Sequence, residues 1–155
     1  RYATPERPPR TPTKLVLSEG WKMWLAAVID CEGWIGLTQQ RRKRGIAYYG
    51  GVGVGNTNRI LTDKLRLLTG LGYCMDRVRP APAKNMVQWM VTKREEVDDL
   101  LITIRPYLLL KGEQADLLLS LPPLNARANA ARAAIKARLT ILNRKGVALV
   151  HSPLP

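Results

Sequence analysis

The 155-residue chain is poor in the side chains on which many active sites depend: it has two cysteines, Cys31 and Cys74, and one histidine, His151. Two cysteines with no CxxC pair make neither a disulfide framework nor a thiolate zinc site, and they read as small, partly buried thiols. A lone histidine in a Pro-containing tail argues against histidine zinc sites and Ser-His-Asp catalysis. No apolar run approaches the ~20 residues that span a bilayer. The N-terminus is rich in Pro and Arg without an apolar segment of signal type, so the expectation is an intracellular protein with no membrane partner. Acidic residues are also scarce, 12 against 25 basic ones, which leaves a net charge of +13. That excess asks for an anionic partner, nucleic acid ahead of a membrane surface. Catalysis, if present, is left to carboxylates, lysine and metal.

What is present reads as one α+β domain with a substantial core, 46% of the residues being hydrophobic. Residues 1–17 form a basic arm broken by Pro5, Pro8, Pro9 and Pro12. Ser18 caps a helix to about Cys31, with Trp21, Trp24, Leu25, Val28 and Ile29 at helical spacing. Ala26, Ala27 and Asp30 give it a slim flank that another helix could approach closely. Residues 34–44 and 46–55 alternate as a hairpin around the basic run Arg41-Arg42-Lys43-Arg44. Asn56-Thr57-Asn58 opens a helix through Leu61, Leu65 and Leu68 that closes near Gly70. Tyr73–Arg79 and residues 86–91 form a second hairpin. Thr92 and Glu95 read as a capping box for a helix carrying Val97, Leu100, Leu101 and Ile104, which Pro106 ends. Further helices cover about Glu113 to Leu121 and Asn125 to Asn143. The order is helix, hairpin, helix, hairpin, helix (αββαββα), then extra C-terminal helices, with an antiparallel sheet.

The first helix ends oddly. A helix C-terminus carries partial negative charge and favours basic residues, yet this one closes with Asp30, Cys31, Glu32 and Gly33. Turn formation alone would account for acids before a glycine; a cation bound there would account for them too. The string Leu25-Ala26-Ala27-Val28-Ile29-Asp30-Cys31-Glu32-Gly33 resembles the LAGLIDADG motif of homing endonucleases, with Ala27 in place of the usual glycine and Glu32 in place of the usual aspartate. Three later blocks resemble the same family: Val54–Asn58 leading into Asp63-Lys64-Leu65, then Leu71-Gly72-Tyr73, then Arg105 to Ala115 with Lys111 and Gln114. The likeness covers about residues 20–121, leaving the arm and the basic segment 122–155 outside it.

The resemblance implies a saddle-like antiparallel sheet and, with a single motif, a homodimer whose motif helices pair. Its activity would be metal-dependent, sequence-specific cleavage of double-stranded DNA at a long pseudo-palindromic site, as in intron-encoded endonucleases. Glu32 from each subunit would bind Mg²⁺ (or Mn²⁺), with the Cys31 backbone carbonyl as an extra ligand; Lys111 and, more weakly, Gln114 would complete the catalytic pocket. Asp30 and Gly33 are expected to serve the helix end, Asp30 by hydrogen bonding in preference to metal ligation. The face expected to enter the major groove carries Thr38, Gln40, Arg42, Tyr49, Arg77, Arg79, Gln88 and Met90, while Arg41, Lys43 and Arg44 suit phosphates. The alternative is a non-catalytic nucleic-acid binder on the same scaffold, an intron-RNA maturase or a DNA-binding regulator.

Overall fold

A computed structural model of the chain describes residues 15–43 and 45–144, the side chain of Ala126 aside. The expected calls on the arm before Leu15, on Arg44 and on the tail from Lys145 lie outside the described residues.

The elements follow the expected order: α1 (Glu19–Glu32), β1 (Gly33–Arg42), β2 (Gly45–Asn56), α2 (Arg59–Thr69), β3 (Tyr73–Arg77), β4 (Met86–Val91), α3 (Arg94–Ile104), α4 (Gly112–Leu119) and α5 (Asn129–Leu142). The four strands form one antiparallel sheet in the order β1-β2-β4-β3. This is the α+β architecture read from the sequence, with local differences. β3 stops at Arg77, because the Arg79 amide turns to the Asn85 side chain (3.1 Å). Helix α3 begins one residue later than Thr92 would set it, with Lys93 at the cap and no side-chain hydrogen bond there.

Period-two alternation sorts the sheet into two faces. Ile35, Leu37, Val52, Val54, Val87, Trp89 and Val91 point to the helices and are buried with Leu25 and Ile29 of α1, Leu65 of α2, and Leu100, Leu101 and Ile104 of α3. Trp89, fully buried, donates its indole N–H to the Leu71 carbonyl at 2.9 Å, so its one polar group is satisfied inside the core.

Helix α5, beyond the reach of the family resemblance, belongs to the same body: Leu139 joins the core and Ile135 packs on it. Its polar side chains cover the backbone of the first hairpin. Lys136 donates to the Leu37 carbonyl (2.7 Å) and Asn143 to the Ile35 carbonyl (2.9 Å), both on β1, an edge strand. Covering an edge in this way blocks pairing with a foreign strand. Arg132, only 4% exposed, donates from Nε to the Tyr48 carbonyl at 3.2 Å and from its Nη groups to Tyr48 and Pro122 carbonyls. Burial, with Arg94 nearby, pushes its guanidinium below the usual arginine range. The carbonyls therefore carry the compensation for this buried cation. Replacing Arg132 by Met should lower stability by roughly 1–3 kcal/mol, the cost of orphaning a buried polar group. Thermal denaturation checks this; an unchanged melting temperature would count against the role given to Arg132.

Candidate active site and sheet face

The first half of the site is the end of α1. Ser18 caps the helix start, accepting from the Trp21 amide (3.5 Å), and Glu19 sits in its first turn. Tyr107 donates its hydroxyl to Glu19, which also pairs with Lys22 at 3.0 Å. Both partners hold the Glu19 carboxyl below the ordinary range. At the far end Gly33 leads straight into β1, its amide donating to the Ile29 carbonyl. A Cβ at Gly33 would fall 2.6 Å from that carbonyl oxygen, so only glycine lets the strand leave so sharply.

The three acidic-end residues separate into different environments. Asp30 is buried at 6% exposure, and its carboxylate accepts the backbone amides of Leu109 (2.7 Å), Leu110 (3.2 Å) and Lys111 (2.9 Å). In return the Lys111 ammonium donates to the Asp30 carbonyl. Cys31 and Glu32 are exposed, and the last turn of α1 holds no basic residue. Among the described residues no hydrogen bond or ion pair engages the Glu32 carboxylate. Burial pushes Lys111 below the usual lysine range, while Asp30, Cys31 and Glu32 pull it back up. The chain thus brings Glu32, Cys31 and Lys111 to one place, with Asp30 spent on holding the loop.

Gln114 is not part of that surface. It is 3% exposed, and its Oε1 lies buried without a partner among the described residues. Its position on α4 (Gly112–Leu119), a helix packed against β1 and α3, turns it into the core. The slim flank of α1 divides between two sides: Ala26 and Asp30 face inward, and the exposed stripe is Gly20, Met23, Ala27 and Cys31. Packing against the sheet, which the spacing alone does not orient, decides which side shows.

The second half is the open face of the sheet. The register puts Thr38, Gln40, Arg42, Tyr49, Arg77, Gln88 and Met90 on it, together with Trp34, Met75 and Met86. Among the described residues no acidic side chain lies on it. Two expected readers are otherwise engaged. Met90 is buried at 8%, lying over Gly53, where a Cβ would strike its sulfur. Arg79 is folded onto its own turn, its Nε donating to the Lys84 carbonyl at 2.8 Å. Tyr49 serves as a platform: Arg42 stacks 5.1 Å from its ring centre, and its hydroxyl is buried. Arg41 and Lys43 are exposed at the protruding hairpin tip. The missed residues are the pavers. Trp34 lies over Gly36 and Gly51, and Met86 over Gly55. Glycine at every second position of β2 was the signal that large neighbours would lie flat here.

Fit to a divalent cation is partial within one protomer. Among the described residues no three His, Cys, Asp or Glu side chains meet in a metal-binding group. A carboxylate and a carbonyl oxygen are suitable donors for Mg²⁺, but the described residues of one protomer do not complete a coordination shell around them.

No protein-family model matches the sequence, and no match is found among curated proteins. The fold does match solved structures, and it is the fold of LAGLIDADG homing endonucleases. The homing endonuclease I-CvuI, in complex with a DNA target in the presence of Mg, superposes with a TM-score of 0.70 at 20% identity, over 83% of this chain and 85% of that one. The archaeal intron-encoded homing endonuclease I-Vdi141I, complexed with DNA, gives 0.67 at 16% identity, over 83% and 88%. The LAGLIDADG homing endonuclease I-SmaMI, bound to cleaved DNA, gives 0.63 at 13% identity over 91% of this chain, which spans 50% of that one.

The Asp30 clamp makes a local prediction. Asp30→Asn turns one acceptor into an amide NH₂ donor facing backbone N–H groups, and should cost about 1.5–3 kcal/mol, the scale of a hydrogen bond to a charged group. Hydrogen exchange at the amides of Leu109, Leu110 and Lys111 should accelerate more than at Trp89; uniform acceleration would show that the clamp is not local.

Proposed function

We propose that the chain is a sequence-specific DNA endonuclease that hydrolyses phosphodiester bonds with divalent metal and acts as a homodimer. One observation carries the reading: among the described residues, a sheet face that bears arginine and no acid shares one protomer with an exposed carboxylate, Glu32, beside the half-buried Lys111. A basic face alone would suit any nucleic-acid binder. An exposed carboxylate at a helix end does nothing for binding a polyanion, and it is the group that metal-assisted hydrolysis needs.

In this reading Glu32 and the Cys31 carbonyl would hold Mg²⁺ or Mn²⁺, which supplies Lewis acidity toward the phosphate and a more acidic bound water. The missing oxygens would come from the DNA and from Glu32 of a second copy. The exposed stripe Gly20, Met23, Ala27 and Cys31 suits close helix–helix approach, and pairing there would set two Glu32 residues side by side. Lys111, held by Asp30, would place positive charge against the scissile phosphate. The open face would lie in the major groove, with Arg41, Lys43 and Arg44 on phosphates. The DNA complexes described for I-CvuI and I-Vdi141I support the DNA-binding part of this assignment, the magnesium present with I-CvuI and its uncleaved DNA supports a divalent metal, and the cleaved DNA bound to I-SmaMI supports cutting. The intron-encoded origin of I-Vdi141I supports a similar origin here.

Incubating the protein with a randomised duplex library, with Mg²⁺ or with a chelator, should yield cut products at a limited set of sequences only with metal. Glu32→Gln should cut at least ~100-fold more slowly, the scale of losing one transition-state group, while binding the selected sequence unchanged. Binding without metal-dependent cutting in the unaltered protein would favour the non-catalytic binder or maturase. Ala27 is exposed, so Ala27→Arg should fold normally and sediment as a monomer; a dimer of undiminished stability would exclude pairing through α1.

A further inference from the structure

Two groups on the open face are tied to each other. Gln88 of β4 pairs with Met75 of β3, and Arg77 with Met86, so Arg77 and Gln88 rise from the same face as diagonal neighbours. The Arg77 Nε–H donates to Gln88 Oε1 at 2.9 Å. Chemistry orients the amide: guanidinium has only donors, so the oxygen of Gln88 faces it and the NH₂ is turned away. The pair therefore presents the Nη1/Nη2 end of Arg77 and the Nε2 hydrogens of Gln88. The register brings no carboxylate to this face to neutralise them.

We propose that Arg77 and Gln88 act as one recognition unit selecting guanine at a single base pair, an inference that rests on reading this face as a DNA-binding surface. A free glutamine matches adenine, accepting from N6 and donating to N7. Gln88 loses that match, because the guanidinium beside its oxygen opposes approach of an amino hydrogen to the remaining lone pair. Guanine offers O6 and N7, two acceptors, to the end-on fork of Arg77. Adenine and cytosine both turn an amino group toward the major groove and meet donors with a donor. The hydrogen bond also holds the arginine in one orientation before binding, which reduces the rotamer entropy lost on contact.

The test is selection of bound sequences from a randomised duplex library by the full chain in chelator, with thermal melting to verify that each variant folds. The unaltered protein should show a position where guanine is preferred by about 10-fold or more, the discrimination of a good bidentate contact. Arg77→Ala should abolish that preference and shift the position toward adenine, because the amide is released. Gln88→Ala should weaken the guanine preference without a move to adenine. Unchanged preferences in Arg77→Ala would overturn the proposal. So would a uniform loss of affinity with a shallower salt dependence, which marks a phosphate contact. An unaltered protein that selects no sequence at any position would instead overturn the DNA-recognition reading itself.

Discussion

The structure depends on the exchange between Asp30 and the segment Leu109–Lys111. A buried carboxylate is tolerable only with its lone pairs taken up, and three successive backbone amides supply that here. The reciprocal contact from the Lys111 ammonium to the Asp30 carbonyl makes the link two-way. Residues about eighty positions apart in sequence are thereby fixed at one end of α1. Without this tie, Lys111 would be a flexible surface lysine and the approach to α4 an unanchored loop. With it, a cation stands at a helix end where the macrodipole is negative and the last turn offers no other basic group. The lysine is positioned by backbone geometry, and its partial burial follows from that position.

The sheet face is built on a comparable trade. Glycine in a strand weakens it, yet β2 places Gly51, Gly53 and Gly55 along the open face. The large side chains of Trp34, Met90 and Met86 fill the space that Cβ atoms would have taken. A low apolar floor results, bordered by the polar groups Thr38, Gln40, Arg42, Arg77 and Gln88. A surface of low relief lets backbone and short side chains approach a partner, while dispersion contacts across the floor offset part of the glycine cost. The buried edges are handled elsewhere: α5 supplies donors to β1 and β2 carbonyls, so the hairpin is supported from its helix side and edge while its open face stays clear.

Much of this was legible in the sequence, for identifiable reasons. Alternation in 34–55 assigned the faces of the first hairpin because period two leaves no freedom once one residue is placed. The helices carried clear stops, Gly70 among them, which adopts the left-handed cap conformation at φ 66°. The acidic end of α1 was conspicuous because it violates the dipole preference. Three features were not legible. Backbone amides have no sequence signature, so the partners of Asp30 could not be named. A helix stripe of small residues does not say which way it faces: Ala26 and Asp30 lie inside, Ala27 outside. A polar residue's depth has no sequence signature either, so the 3% exposure of Gln114 on α4 could not be read from its block.

The contrast between Asp30 and Glu32 bears on why the second acid is there at all. They sit two residues apart at the same unfavourable helix end, yet only Asp30 is neutralised by the fold. The dipole penalty on an exposed carboxylate is small, about 0.3–1 kcal/mol, so the isolated protomer tolerates Glu32 with no direct partner among the described residues. The penalty grows when another anion comes near, because each excludes water from the other and like charges raise the cost of ionisation. A DNA phosphate or a second Glu32 would be such an anion. On the reading proposed above, both arrive together, and a divalent cation is the agent that reconciles them. Lys111 alone cannot do so: it carries one charge, its ammonium is engaged with the Asp30 carbonyl, and its burial already works against that charge. On that reading the same end of α1 would be stable when empty and cation-seeking when occupied, which is the behaviour required of a site assembled only on its substrate.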